Sequence, residues 1–184
     1  RLEGDTVSYR DLLYGMLLAS GNDAANTTAY VLAGSVQGFA KMMNEKAAEL
    51  GMKNTSFVTP SGLDDENHYT TAYDLALLTA AALKNSAFRT ACSSKSAVLY
   101  YGNPPYRRTL TNHNKLLGNY EGIIGVKTGF TKKSGRCLVT AAEGEGKRVI
   151  AVTLNDPDDW NDHRKLLDYG FANWSFVTLT PNPG

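Results

Sequence analysis

The chain has 184 residues, of which 42% are hydrophobic, and this is enough for one domain of ordinary size with a substantial buried core. The formal net charge is +1 and the charged residues are scattered, so we expect no nucleic acid among the partners. No apolar run approaches the roughly 20 residues that cross a bilayer, and the first residues lack the pattern of a signal peptide. The composition therefore predicts a soluble globular domain.

The first half of the sequence has the apolar spacing of helices. Ser8 opens a capping box before a helix with one wide apolar face, and this helix ends at the tripeptide 20–22. Asp23 is expected to cap a second helix, and Ser35 a third helix that Gly51 ends. We expect the first and third helices to bury one face each.

Residues 52–70 carry proline, glycine and many small polar side chains without periodicity, which predicts a long ordered loop. Loops of this kind often border functional sites. Thr71 then begins a second capping box before a fourth helix, and a short helical segment is expected near Phe88. The first half is therefore predicted to be helical apart from this loop.

The hydrophobic period changes from helical to β after residue 96. Two weaker β-segments, 97–101 and 107–111, surround a turn that contains glycine and proline. Three stronger strands are predicted next, and the last two are joined by glycines that suit a tight hairpin: 123–131, 136–143 and 148–155. The predicted fold class is α+β, an antiparallel sheet flanked by helices.

A final helix is expected over residues 158–174, where it would cover one face of the sheet. Its expected anchors are Trp160, Leu166, Leu167, Tyr169 and Phe171. We predict one domain over residues 1–176. Residues 177–184 contain two prolines, and we interpret them as the start of a linker or of a C-terminal extension.

The cysteines and histidines do not have metal-binding spacing. Cys92 and Cys137 form no CxxC pair, and we interpret them as small apolar residues that would form a disulfide only if export and geometry permit. His68, His113 and His163 are dispersed without HxxxH or HxH spacing, so surface or loop roles are expected for them. We therefore predict no metal site and no cofactor.

Two tripeptides carry the chemistry of the sequence: Ser-Gly-Asn at 20–22, between two helices, and Lys-Thr-Gly at 127–129, inside a predicted strand. Each alone also fits a plain structural role, a helix-ending turn for the first and an exposed strand end for the second. In this order and on these elements they match the second and third motifs of the penicillin-binding serine enzymes. Further segments agree in order with that match: 54–57 with 60–63, 73–76, 111–117 and 122–126.

Because these separated segments agree over most of the chain, the sequence resembles the serine-type D-alanyl-D-alanine carboxypeptidases of the low-molecular-mass penicillin-binding protein family. The resemblance implies a β-lactamase/transpeptidase-like fold, here incomplete at the N-terminus. It implies an exported enzyme of the cell surface or periplasm that acts on the cell wall and cell shape, and relatives are often held at the membrane. The substrate would be a peptidoglycan stem peptide ending in D-Ala-D-Ala, cleaved through an acyl-enzyme, and β-lactam antibiotics would also bind.

The same resemblance implies a role for each residue of the Lys-Thr-Gly strand. Lys127 would be a catalytic cation that, with the Thr128 hydroxyl, receives the substrate carboxylate. Gly129 would let the substrate backbone lie along the strand edge. The backbone N–H of Phe130 would form one half of the oxyanion hole.

In the Ser-Gly-Asn loop, the resemblance implies two catalytic residues. Ser20 would pass a proton toward the leaving D-alanine nitrogen, and Asn22 would hydrogen-bond the substrate amide carbonyl and neighbouring catalytic groups. His113 lies between two asparagines, and we interpret it as a residue that organises its loop rather than as a base.

The sequence departs from the family pattern in two ways. The family's first motif, Ser-x-x-Lys, supplies the nucleophile and its activating lysine, yet no lysine of this chain has a serine or threonine three positions earlier. In the family this motif lies upstream of Ser-Gly-Asn, so we expect this chain alone to be inactive, and its own N-terminal segment or a swapped dimer are candidate partners. The arginine that some relatives place near the substrate carboxylate is not identifiable around residues 158–160.

Two other functions remain open from the sequence. A β-lactamase-related hydrolase would share the Lys-Thr-Gly strand, but such enzymes usually carry aspartate at the position of Gly21 and a deacylating glutamate, for which Glu66 is the nearby candidate. A non-catalytic module that binds peptidoglycan peptides would keep the groove without the nucleophile.

Overall fold

The computed structural model describes residues 6–175, which form six helices and five strands. The helices are α1 (Tyr9–Leu18), α2 (Asn22–Ala33), α3 (Val36–Glu49), α4 (Ala72–Ala82), α5 (Ser86–Ser93) and α6 (Asp159–Asn173). The strands are β1 (Ser96–Tyr101), β2 (Tyr106–Thr111), β3 (Ile123–Thr131), β4 (Gly135–Gly144) and β5 (Lys147–Thr153). The predicted linker at 177–184 lies outside the described residues, and the domain boundary stays a prediction.

Side-chain caps fix the start of three helices as predicted. Ser8, Ser35 and Thr71 each accept a backbone N–H from the third residue of the first helical turn. The prediction for Asp23 is wrong, because α2 begins at Asn22 with Gly21 as its N-cap. The turn after α1 is tight, so the helix starts early and the Asp23 side chain accepts the N–H of Ala24 instead.

The sheet is antiparallel with the order β3-β4-β5, and β1 pairs with β2 as a separate two-stranded sheet. The connection from β3 to β4 is short, so Gly129 lies opposite Cys137 and Phe130 lies opposite Arg136. Within the described residues, β3 pairs with one neighbour and its other edge stays open. An open edge offers backbone groups to an added strand.

Helices cover both faces of the three-stranded sheet. On one face, Leu83 and Cys92 pack against Val126 and Ala141 of the strands. On the other face, Leu167 of α6 packs against Ala142 and Ala151. The predicted α+β class and the predicted position of α6 are therefore confirmed.

One histidine of α6 corrects the sequence interpretation. His163 is fully buried, and its two ring nitrogens contact the hydroxyls of Thr140 at 2.6 Å and Thr153 at 3.1 Å. Helical periodicity places His163 one turn before Leu167 on the inward face, whereas the expected anchors Leu166 and Tyr169 are 43% and 60% exposed. Burial lowers the pKa of His163 to about 4.

The loop between α3 and α4 is ordered by buried polar anchors. Asp74 is 1% exposed and accepts the Asn54 N–H at 2.8 Å and the Thr55 hydroxyl at 2.7 Å. His68 has the predicted loop role, because its Nδ1 accepts the N–H of Val58 at 3.0 Å. The Asp74 bonds tie the start of the loop to α4, and the His68 bond joins the two arms of the loop.

Cys92 is buried in the core as predicted, while Cys137 is half-buried on β4, and both are free thiols. Burial raises the pKa of Cys92 to about 11, so this thiol stays protonated. Between residues 6 and 175, no helix combines the length and apolar character needed to cross a membrane.

Candidate active site

The Ser-Gly-Asn corner is a strained turn between α1 and α2. Ser20 has a φ of 55°, a left-handed conformation that costs free energy for a residue with a Cβ. The following Gly21 N–H donates to the Gly15 carbonyl at 3.0 Å and closes the turn. The turn leaves Ser20 and Asn22 exposed at the start of α2.

Lys127 of β3 reaches this corner. Its Nζ donates to the Ser20 Oγ at 2.5 Å and to the Thr128 carbonyl at 2.6 Å. Both acceptors are neutral, and burial lowers the pKa of Lys127 to about 8. The ammonium is therefore mostly protonated at neutral pH and can lose its proton at a modest alkaline pH.

All six predicted site residues line one groove of about 620 Å³, which runs along the open edge of β3: Ser20, Asn22, Lys127, Thr128, Gly129 and Phe130. Gly129 is exposed and Phe130 is 70% exposed, so the strand edge is open to a ligand. The structure thus brings together residues that are 107 positions apart in the chain, as the Ser20–Lys127 hydrogen bond shows.

The loop at 52–70 forms the opposite wall of the groove, in line with the expectation that it borders a site. Residues 61–64 and 68–70 line the cavity. The Thr131 hydroxyl at the end of β3 donates to Asp64 at 2.7 Å, and it also contacts Ser134 at 2.8 Å. These bonds fasten the loop to the end of the strand.

A second compartment of about 490 Å³ continues the groove beyond Thr128. Ser20, residues 128–130 and His113 line part of it. The rest of its lining consists of residues that were not predicted as site residues: Lys115, Arg136, Cys137, Asp159 and Trp160. Asp159 is 3% exposed and accepts from Arg136 Nε at 3.2 Å and from Nη2 at 2.6 Å. This bond raises the pKa of Arg136, so the guanidinium stays charged.

Arg136 lines the second compartment, and the sequence did not indicate it as a site residue. The predicted strands 123–131 and 136–143 were sufficient to find it. If their short connection is treated as a hairpin, Arg136 lies opposite Phe130. Asp159 and Trp160, by contrast, reach the groove only because α6 starts beside β4.

His113 has the expected place in a surface loop, although its two neighbours make the bonds that organise that loop. Its side chain is exposed and lines the second compartment, and the two neighbouring asparagines organise the loop. Asn112 donates to the carbonyls of Cys92 and Ser94, and its side-chain oxygen accepts the N–H of Asn114 at 2.9 Å. Short amide side chains reach local backbone groups in this way.

The structure also bears on the residue at position 21. A Cβ added to Gly21 would lie 3.1 Å from Asp23 Oδ1 and 3.3 Å from the Gly15 carbonyl oxygen. A larger side chain would crowd both oxygens, and an aspartate would add charge repulsion with Asp23. Within residues 6–175, no cluster of three or more His, Cys, Asp or Glu side chains could hold a metal ion.

Comparison with known proteins gives a consistent result. The family described as D-alanyl-D-alanine carboxypeptidase matches residues 1–158. DacF of Bacillus subtilis, a D-alanyl-D-alanine carboxypeptidase, is 37% identical over 174 residues, which cover 93% of this chain and 44% of that protein. A D-alanyl-D-alanine carboxypeptidase of a Streptomyces species is 38% identical over 182 residues, with 92% and 62% of the two chains covered.

The fold agrees with the sequence comparison. A crystal structure of a Streptomyces DD-transpeptidase matches with a TM-score of 0.89 at 37% identity, covering 94% of this chain and 71% of that one. The predicted transpeptidase-like fold is therefore confirmed. The chain spans about half the length of the curated relatives it matches, 44% and 62% of the two named above. The chain belongs to the D-alanyl-D-alanine carboxypeptidase family.

Proposed function

We propose that the protein to which this chain belongs is a serine-type D-alanyl-D-alanine carboxypeptidase that binds penicillin. It would remove the terminal D-alanine from peptidoglycan stem peptides through a serine ester, which water then hydrolyses. The observation that carries this proposal is the 2.5 Å contact between Ser20 Oγ and Lys127 Nζ at the open edge of β3. A structural turn and an exposed strand end would have no reason to meet in a common groove.

The strand side of the groove suits a peptide with a free carboxylate. Lys127 and the Thr128 hydroxyl offer a cation and a donor at the end where the carboxylate would lie. Gly129 leaves the strand edge open for a backbone that adds as a further strand. The Phe130 N–H would stabilise the oxyanion of the tetrahedral intermediate.

The corner side of the groove suits proton transfer. The Ser20 hydroxyl accepts a hydrogen bond from Lys127, so it can pass its own proton to the leaving D-alanine nitrogen and recover one from the ammonium. The lowered pKa of Lys127, about 8, supports this exchange near neutral pH. Asn22 lines the same groove and would hold the substrate carbonyl.

The nucleophile of this proposal is a Ser-x-x-Lys motif in sequence outside the given chain, since no lysine in it has the required serine three residues before. The chain alone would then be inactive, with its own N-terminal segment or a swapped copy completing the site. We further propose an exported protein of the cell surface or periplasm that acts on the cell wall, with a membrane-associated form.

The test uses the full-length gene product. We expect it to be labelled by a fluorescent penicillin at a serine and to release D-alanine from a peptide ending in D-Ala-D-Ala. Replacement of the serine in its Ser-x-x-Lys motif by alanine should abolish both signals. A full-length protein that carries no such motif, or that neither binds penicillin nor releases D-alanine, would overturn the proposal.

Two further assays on the same protein separate the alternatives. A β-lactamase-related hydrolase would turn over nitrocefin with many cycles per enzyme. This alternative is disfavoured by the glycine at position 21, where such enzymes usually carry aspartate and where a side chain would lie close to Asp23 and Gly15. A binding module would give heat on titration with a D-Ala-D-Ala peptide without any release of D-alanine, and the intact groove of this chain is the feature that favours this as second candidate.

A further inference from the structure

The groove carries one charge of each sign. Among the described residues that line it, Lys127 is the only lysine or arginine and Asp64 is the only aspartate or glutamate. Lys127 contacts Ser20, whereas Asp64 accepts a hydrogen bond from Thr131, the last residue of β3. His68 also lines the groove, and burial lowers its pKa, so the imidazole is mostly neutral at pH 7. The lining at the loop end is therefore negative.

The open edge of β3 fixes which part of a bound peptide comes close to Asp64. In the proposed function, the terminal carboxylate lies at Lys127 and Thr128, and the reacting carbonyl lies at the Phe130 N–H. A peptide that adds as a strand advances about 3.3 Å per residue, so its chain continues past Phe130 in the direction of Thr131. The residue that precedes the two D-alanines is therefore expected beside Thr131, to which Asp64 is hydrogen-bonded.

Asp64 has a carboxylate oxygen available at this position. Its Oδ1 accepts from the Thr131 hydroxyl at 2.7 Å, and its Oδ2 has no hydrogen-bond partner among residues 6–175. The residue is exposed, and no lysine or arginine of the described part of the chain forms an ion pair with it. Lys132 and Lys133 follow in the exposed turn but do not line the groove. A cationic group of a ligand would supply the partner that this carboxylate lacks.

Exposed apolar side chains line the same groove. Leu63, Tyr69 and Phe130 are 50%, 57% and 70% exposed. Leu63 directly precedes Asp64 in the loop, and Phe130 directly precedes Thr131 in the strand. An alkyl chain can pack along such side chains while its charged end reaches a carboxylate. The lining therefore suits a side chain with an aliphatic stem and a cationic head.

We propose that Asp64 binds the side-chain ammonium of the residue that precedes D-Ala-D-Ala, and that it thereby selects stem peptides whose diamino acid is unmodified. The inference rests on the proposed carboxypeptidase function and names the substrate class of the same groove. Acylation of this amine, as in a cross-link between two stem peptides, removes its positive charge. Peptides modified in this way are therefore poorer substrates, although their reacting bond is the same.

The test measures D-alanine release by the full-length enzyme from two peptides. Both are Nα-acetyl-L-lysyl-D-alanyl-D-alanine, one with a free side-chain amine and one with that amine acetylated. We expect the wild type to have a kcat/KM about 3- to 10-fold higher for the free amine, as for a partly exposed charge-assisted contact. This ratio should fall toward unity in about 1 M salt, because the contact is electrostatic.

A third peptide separates charge from size. Norleucine in place of lysine keeps the aliphatic stem without the charge and without the bulk of the acetyl group. Its kcat/KM should resemble that of the acetylated peptide. If norleucine is instead as good as the free lysine, the groove only excludes bulk, and the inference is overturned.

Three variants separate the charge of Asp64 from the structure of the loop. Asp64→Asn removes the charge but keeps an oxygen for the Thr131 hydroxyl, so the ratio should fall to about unity, mainly through slower release from the free amine. Asp64→Glu keeps the charge and should retain part of the preference. Asp65→Asn makes the same chemical change at the neighbouring exposed residue, which does not line the groove, and the ratio should remain.

The outcomes are distinct. A ratio near unity in the wild type, or a ratio that Asp64→Asn leaves unchanged, would overturn the inference while D-alanine release still supported the proposed function. An equal loss in Asp65→Asn would show a general effect of charge on the loop and would also overturn it. If no peptide releases D-alanine and the protein is not labelled by penicillin, the proposed function itself fails. A ratio that salt lowers and that Asp64→Asn removes, but Asp65→Asn does not, supports the ammonium subsite.

Discussion

The buried polar residues of the helices and the polar residues of the groove differ in how their hydrogen-bonding groups are satisfied. Asp74 and His163, which are 1% and 0% exposed, have partners that match their hydrogen-bonding groups. Ser20 is exposed in a left-handed conformation, and Lys127 is half-buried without a described carboxylate partner. The first group satisfies itself inside the protein, whereas the second keeps donors and charge available for a ligand.

This difference indicates that the buried polar residues contribute to stability and that the groove residues contribute to ligand binding and catalysis. Substitutions in the buried network should change the free energy of unfolding and leave ligand selectivity alone. Substitutions in the groove should mainly lower activity and change the free energy of unfolding by about 1 kcal/mol or less. The following predictions test this separation from the largest expected effect to the smallest.

The largest effect is expected at Lys127 in the full-length enzyme. Lys127→Gln should lower kcat/KM for D-alanine release by roughly 10²- to 10³-fold, because it removes the cation that contacts Ser20. The melting temperature should change little, since the wild type retains a partly desolvated charge here. A large drop in melting temperature together with the loss of activity would show that Lys127 also stabilises the fold, contrary to the separation proposed above.

The dependence of kcat/KM on alkaline pH tests whether the charged form of Lys127 is the active one. Because burial lowers the pKa of Lys127 to about 8, the charged form is lost above that pH and kcat/KM should fall there. Lys127→Arg should move this limb to higher pH, because a guanidinium stays protonated. A limb that stays near pH 8 in that variant would assign it to another group.

The second effect concerns the buried imidazole of His163. Its pKa is lowered from 6.5 to about 4, so the unfolded chain binds more protons in that range and stability is greatest above pH 6.5. Stability should fall as the pH drops from 6.5 through about 4, by on the order of 3 kcal/mol. Urea unfolding at several pH values measures this.

His163→Gln should remove that part of the pH dependence while leaving the weaker contribution of His68, whose pKa burial also lowers. An unchanged slope of stability against pH in His163→Gln would show that the imidazole does not titrate on unfolding.

The third effect is a loss of loop anchoring. Asp74→Ala leaves the Asn54 N–H and the Thr55 hydroxyl without their acceptor, so we expect about 2 kcal/mol less unfolding free energy in urea. Asp162→Ala removes a surface pair with Lys165 and should cost less than about 0.5 kcal/mol. Equal losses in the two variants would contradict the structural role of Asp74.

The smallest effect is the strain at Ser20. Both Ser20→Ala and Ser20→Gly remove the hydroxyl, but only glycine relieves the left-handed conformation with φ of 55°. The glycine variant should therefore be more stable than the alanine variant by about 1 kcal/mol, with both losing activity. A less stable glycine variant would show that the corner is not strained.

The local elements of this protein follow from its sequence. The caps at Ser8, Ser35 and Thr71 and the apolar spacing behind them determine three helix starts, because a cap acts within one turn. The two site tripeptides are also visible in the sequence, one between two predicted helices and one inside a predicted strand. Asp23 and His163 show the limit of local patterns, because a tight turn and an inward helical face decided them.

The second compartment required the tertiary structure. Arg136, Asp159 and Lys115 come from a strand, a helix start and a loop, and no single stretch of sequence carries their pattern. They meet only because the pairing of β3 with β4 and the docking of α6 set distances between segments that are far apart in the chain. The sequence by itself determined the helices, strands and two motifs, through interactions a few residues long, while the groove and its charge arose from packing across the whole domain.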